Sequence, residues 1–256
     1  MKIGVQTRPW GPEMNQNQLP DILDDIVAAG YDGFEIGAQH LDLAHPAAFQ
    51  ALLDERGLAV AGIHVGGEIY DPDAVQQAMA DLERAMAFAA EVGAPYLPFS
   101  GKLKEDKSEA EMQQQAASLN AVGERCQALG LTLCYHNHYW EIENDAAELR
   151  YLVEHTDPAL VSFCLDLAWV KRGGDDPVNI ARYLLDRDRI GYFHLKDTTS
   201  DEWMELGRGE VDFSAVLPLI TERYDGWLVV EQDEVQRAPV ESARISREYL
   251  RAEFGI

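Results

Sequence analysis

Residues 131–141 read L-T-L-C-Y-H-N-H-Y-W-E. The first part, Leu131 to Tyr135, is an apolar run containing a β-branched and an aromatic residue, the composition of a short buried strand. Where such a strand should end, the chain turns polar at His136, Asn137, His138 and Glu141. Two of the seven histidines of the chain fall within this turn. Buried polar groups without partners are costly. The pattern therefore asks for a divalent cation, a polar substrate or a hydrogen-bonded strand end. The stretch decides the reading of the chain because the same change, from apolar run to acid or histidine, returns further along.

Working outward, strand-like runs occur at Lys2–Gln6, Phe34–Ile36, Leu58–Val65, Tyr96–Phe99, Val161–Leu165, Ile190–Leu195 and Trp227–Val230. Helical patterns alternate with them over about 18–29, 45–56, 71–92, 108–129, 144–155, 177–185, 212–224 and 239–254. Gly30, Gly57, Gly93 and Gly130 stop the first four, and residues 168–176 read as a loop. Eight strand–helix units imply parallel strands with right-handed crossovers. In a chain of 256 residues they predict an α/β fold: one (β/α)8 TIM barrel, a single domain over residues 1–256, since such barrels use about 250 residues. No G-x-G-x-x-G follows the first strand, which counts against a dinucleotide fold.

A formal net charge of −24 argues against a grip on nucleic acid or an anionic membrane surface, because both need clustered Lys and Arg. Cys126, Cys134 and Cys164 form no C-x-x-C pair. Their odd number is a poor disulfide framework, and two of them lie inside apolar runs. The first residues lack the apolar core of a signal peptide, so a cytoplasmic location is expected. Monomer, dimer and larger homo-oligomer are all left open.

The predicted C-terminal ends of the strands carry Glu35, His64, His136, His138, Glu141, Asp166, His194, Lys196 and Glu231. In a barrel these ends share one mouth, where such folds place their active sites. Glu141, Asp166, His194 and Glu231, from the last four strands, would face one another there as metal ligands. Three carboxylates and an imidazole suit Mn²⁺, Mg²⁺ or Co²⁺ better than structural zinc. Trp10, Trp140, Trp169 and Trp203 follow strands and could wall a sugar ring.

At this point the chain resembles the sugar phosphate isomerase/epimerase group with its xylose isomerase-like TIM barrel. The resemblance rests on Y-H-N-H-Y-W-E (135–141), F-C-L-D-L-A-W (163–169), F-H-L-K-D (193–197), G-R-G-E-V-D-F (207–213) and V-V-E-Q-D (229–233). It implies a single divalent metal, Mn²⁺ first, with Mg²⁺, Co²⁺ or Zn²⁺ as alternatives. Two glutamates, an aspartate and a histidine would hold it. Asp166, His194 and Glu231 match directly. Related epimerases place a glutamate at the end of the fifth strand, where this chain has His136. Glu141 is assigned as the fourth ligand, with His136 competing.

The resulting expectation is a metal-dependent isomerase or epimerase of a keto sugar or polyol-derived ketone, working through an enediolate. Glu141, Glu231 and His138 would move protons. His64, His136 and Trp169 would contact the substrate, and Lys196 and Arg208 would hold its oxygens or a phosphate. Close behind stands a lyase on the same scaffold, resembling keto-inositol dehydratases or enzymes that eliminate from 3-keto glycosides. A DNA-repair endonuclease and a non-catalytic sugar-binding protein rank lower. The first suffers from the negative charge; the second would leave the acids idle.

Overall fold

The computed structural model describes residues 1–256 and closes eight parallel strands into a barrel. The strands are β1 (Lys2–Gln6), β2 (Gly33–Gly37), β3 (Ala59–Gly67), β4 (Tyr96–Gly101), β5 (Thr132–His136), β6 (Val161–Asp166), β7 (Ile190–Leu195) and β8 (Trp227–Val230). Each pairs with its neighbours in chain order, and β8 closes on β1, with Ile3 opposite Leu228 and Val5 opposite Val230. The sequence places all eight strands to within a few residues.

Ten α-helices surround the strands: α1 (Gly11–Asn17), α2 (Leu19–Ala29), α3 (Pro46–Asp54), α4 (Pro72–Glu91), α5 (Glu109–Ala128), α6 (Tyr139–His155), α7 (Leu167–Arg172), α8 (Pro177–Leu185), α9 (Phe213–Arg223) and α10 (Pro239–Phe254). Two of these are not among the predicted helices: α7 falls in the stretch read as loop, and α1 between the first strand and the first helical pattern. Helix α1 is polar apart from Met14, so it shows no apolar stripe. Helix α7 is too short for a period to register, and Asp166 starts it by accepting the Trp169 N–H at 2.9 Å. Helix α6 begins earlier than expected, at Tyr139. None of the helices is long and apolar enough to cross a membrane.

The main core lies between strands and helices, where residues such as Phe34, Phe99, Leu149 and Ile220 are buried. A second, smaller cluster fills the barrel itself: Ala61, Cys134, Cys164, Tyr192, Trp227 and Val229. All three cysteines are buried and unpaired, as their apolar settings predict.

The interior cluster explains the site above it. Side chains alternate across a strand with a period of two. His136, Asp166, His194 and Glu231 each stand two residues beyond Cys134, Cys164, Tyr192 and Val229. They therefore point to the same inward face, one layer nearer the C-terminal mouth. A hairpin of Asp197–Thr198 with Trp203–Met204 follows β7. Its loop is tied down by Asp197, whose carboxylate accepts N–H bonds from Gly207, Gly209 and Val211 at 2.8–3.1 Å.

Candidate active site

One potential ligand atom from each of His136, Asp166, His194 and Glu231 lies within 4.8 Å of the other three, and all four residues are buried. Several of these atoms have no hydrogen-bond partner: both ring nitrogens of His136, Oδ2 of Asp166, Nδ1 of His194 and Oε2 of Glu231. His194 Nδ1 and Glu231 Oε2 approach to 2.7 Å without forming a hydrogen bond. Buried polar groups are normally satisfied, and each exception needs an explanation. Here the orphaned atoms converge on one another, so the donor set fits a divalent cation.

Neighbouring groups orient this cluster. The fully buried Glu35 carboxylate lies 2.8 Å from His194 Nε2 and 2.7 Å from His64 Nδ1. It thereby takes the outer nitrogen of His194 and leaves Nδ1 facing inward, the arrangement in which a carboxylate sets a histidine's tautomer. Burial alone would raise Glu35, but His194 and His64 hold it down to about 2. The Asn137 amide accepts the Asp166 N–H at 2.9 Å and donates to the Asp166 carbonyl at 3.3 Å. It prolongs the β5–β6 ladder just where Asp166 must be placed.

Lys196 is buried, with Nζ 2.6 Å from Asp233 Oδ2 and 3.6 Å from both Asp166 Oδ2 and Glu231 Oε1. Burial works against its charge, but Glu231, Asp166 and Asp233 raise it above the ordinary value. The same contacts work on Glu231: Lys196 and His194 keep it well below the usual carboxylate range despite its burial. Lys196 also lies 4.3 Å from the Trp203 ring centre and 4.9 Å from that of Trp169.

Glu141, expected as the fourth ligand, does not join the cluster. It sits in the first turn of α6. There it accepts the His138 N–H at 2.7 Å through one oxygen and the Tyr135 hydroxyl at 2.7 Å through the other. A glutamate at this helical position turns back to satisfy an unpaired N–H of the helix start. Burial, reinforced by Glu148, pushes it up to about 7. His136, the competing residue, occupies the fourth position instead.

Arg208 and Trp10 are likewise outside the site. Arg208 is about half exposed and lies 3.6 Å from Glu205, because the loop wound around Asp197 turns it away from the central cavity. Trp10 is buried in the core and donates its indole N–H to Asp25 at 2.8 Å.

The central cavity has a volume of about 220 Å³. It is lined by His64, His136, His138, Trp140, Trp169 and Glu231, and also by Gln6, Arg8, Gln39, Ser100 and Asp233. The His138 ring stacks on Trp140 at 4.2 Å with an interplanar angle of 8°. Burial, with His136 and Lys196 beside it, lowers this imidazole so that it stays neutral. Asp233 belongs to the quoted V-V-E-Q-D motif, but its pairing with Lys196 and Arg8 was invisible in the sequence. Gln6 ends β1 and Gln39 lies in the turn after β2, positions that look in the sequence like an ordinary strand end and loop start.

The chain is 29% identical to the inosose dehydratase of Halalkalibacterium halodurans, over 91% of this chain and 87% of the relative. It is 26% identical to that of Geobacillus kaustophilus, over 97% and 93%. Among solved structures, a sugar phosphate isomerase/epimerase from Parabacteroides distasonis superimposes with a TM-score of 0.84 at 23% identity, covering 99% of this chain and 94% of the other. The family model described as xylose isomerase-like TIM barrel matches residues 23–253. With the closed eight-stranded barrel around that match, the chain belongs to the xylose isomerase-like TIM barrel family.

Proposed function

We propose that the protein is a lyase of the dehydratase type acting on a polyhydroxylated ketone. It would remove the proton α to the carbonyl and expel an oxygen substituent from the β-carbon. The α C–H and β C–O bonds break, a C=C bond forms, and the departing oxygen leaves with a proton as water or an alcohol. The observation that carries this reading is the set of unpartnered atoms on His136, Asp166, His194 and Glu231 beside a neutral, cavity-lining His138. Full-length likeness to inosose dehydratases supports elimination over simple rearrangement.

His136, Asp166, His194 and Glu231 would hold the metal, which when bound supplies Lewis acidity toward a carbonyl and its neighbouring hydroxyl. Two imidazoles with two carboxylates, rather than the three carboxylates first expected, move the preference away from Mg²⁺ and toward Mn²⁺, Co²⁺ or Zn²⁺. His138 lines the cavity and is positioned to exchange a proton with the substrate. Glu231 is the second proton-handling group. Lys196, held between Asp233 and the two acids, sets a positive charge where the substrate oxygen gains negative charge. Trp140 and Trp169 wall the ring and exclude water.

Epimerisation, the first expectation from sequence, remains the second reading. The feature that favours it is a second imidazole, His64, bridging Glu35 and Ser100 at 2.7 and 2.8 Å across the cavity. Returning a proton to the opposite face requires such a group. Incubation of the Mn²⁺-loaded protein with a keto-inositol and with keto sugars in D₂O tests both readings. Loss of water or an alcohol with appearance of an enone is the expected result. Deuterium incorporation at unchanged formula selects epimerisation, and neither elimination nor exchange with any of these ketones sinks both.

A further inference from the structure

A second cavity of about 460 Å³ opens beside the central one. Gln6, Arg8, Gly37, Gln39 and Asp233 line both, so the two are compartments of one mouth. The central compartment alone is smaller than the roughly 300–1,000 Å³ usual for small-molecule sites, whereas the pair together falls inside that range. The walls differ sharply. The central cavity has its tryptophans on the β5–β6 side, while the second is built from the loops after β1, β2 and β8, with Val235 its one hydrophobic side chain.

Its one cation is paired. Arg8 lies 2.7 Å from Asp233, which is also the partner of Lys196. Glu234 adds a further carboxylate to the lining, and His40 is lowered by burial and so neutral. Amides, a hydroxyl, the Glu234 carboxylate and a neutral imidazole remain to meet a ligand. Such a wall exchanges hydrogen bonds with hydroxyl groups and offers no uncommitted cation to a phosphate, which needs Arg or Lys aimed at it.

We propose that this second cavity is a subsite for an uncharged polar group the size of a sugar ring, attached to the ketone that reacts in the central cavity. The preferred substrate is then a keto-glycoside rather than a lone keto sugar or a sugar phosphate. The inference deepens the proposed lyase reading and rests on it for the identity of the reacting ketone. It gives the departing alcohol a place to sit.

Calorimetric titration of the Mn²⁺-supplemented protein tests it with three probes: methyl 3-keto-glucoside, 3-keto-maltose, and the 6-phosphate of the methyl glycoside. The disaccharide should bind at least about tenfold more tightly than the methyl glycoside, and the phosphate ester about tenfold more weakly. Val235→Trp, which fills the cavity, should bring the ratio between disaccharide and methyl glycoside to about one, and Val235→Ala should keep it. Equal affinity for the two neutral ketones, a ratio that survives Val235→Trp, or tighter binding of the phosphate ester would overturn the subsite. A preferred disaccharide that is bound and never turned over would instead remove the lyase reading and leave the subsite standing. Absence of binding by either neutral ketone would remove both.

Discussion

His136 stands in the buried cluster with both ring nitrogens unpartnered, whereas Glu141, in the first turn of α6, spends both carboxylate oxygens on Tyr135 and His138. Metal analysis after dialysis should therefore separate the two. His136→Ala should lose metal affinity by at least the 10–100-fold typical of outer ligand partners. Glu141→Gln should bind metal at the wild-type stoichiometry. A Glu141→Gln protein that cannot be loaded, beside a His136→Ala protein that can, would reverse the assignment. Glu35→Gln should weaken metal binding by roughly 10–100-fold without removing a donor, because it releases the tautomer of His194.

Glu141 also makes a pH prediction. Its folded-state value of about 7 lies above the ordinary 4.5, so between those values the folded chain holds more protons than the unfolded chain. Stability should fall as pH rises through that window. Unfolding midpoints in urea across it should show a slope that Glu141→Gln abolishes. The strand-end logic that located Asp166, His194 and Glu231 failed here for an identifiable reason. Chain position alone does not distinguish a carboxylate that ends a strand from one that caps the next helix.

Helix α6 carries a break where the helical pattern of 144–155 begins. Asn144, Asp145 and Ala146 have φ of 56°, 62° and 53°, in the left-handed region that L-residues enter at a cost of about 1–2 kcal/mol each. The Asp145 side chain is 90% exposed, so Asp145→Gly removes strain with little loss of packing. It should raise stability by about 1 kcal/mol in chemical denaturation. Gly123 in α5 predicts the opposite sign. Alanine should favour the helix by about 1 kcal/mol, yet a Cβ there would meet the Leu160 carbonyl oxygen at 2.5 Å. Backbone cannot yield as a side chain can, so Gly123→Ala should destabilise by roughly 1–3 kcal/mol. Helices with a wide apolar stripe were legible, as in α2 and α8. The polar α1 and the single-turn α7 depend on strand ends and loops that bring their partners to them.

The metal-type residues tie four strands, β5 to β8, at one point. A cation bound to the folded chain alone stabilises it by mass action, about 4 kcal/mol at a concentration a thousandfold above its dissociation constant. Chelation should lower the melting temperature and Mn²⁺ should restore it. In the His136→Ala protein the shift should shrink or vanish. An unchanged melting temperature with and without chelator would mean that the four residues are held by packing alone.

Sequence by itself determined the eight alternating strands and helices and the inward acids and histidines of the last strands. Both follow from local periodicity, which needs no partner to be read. Only the closed barrel decided which of those groups meet. The ring brings Glu35 of β2 to His194 of β7, places His136 rather than Glu141 beside Asp166, and turns Arg208 outward around Asp197. It also joins the loops after β1, β2 and β8 into the second cavity. Contacts between residues so distant in the chain are set by strand register and closure, and neither is encoded in any single window of sequence.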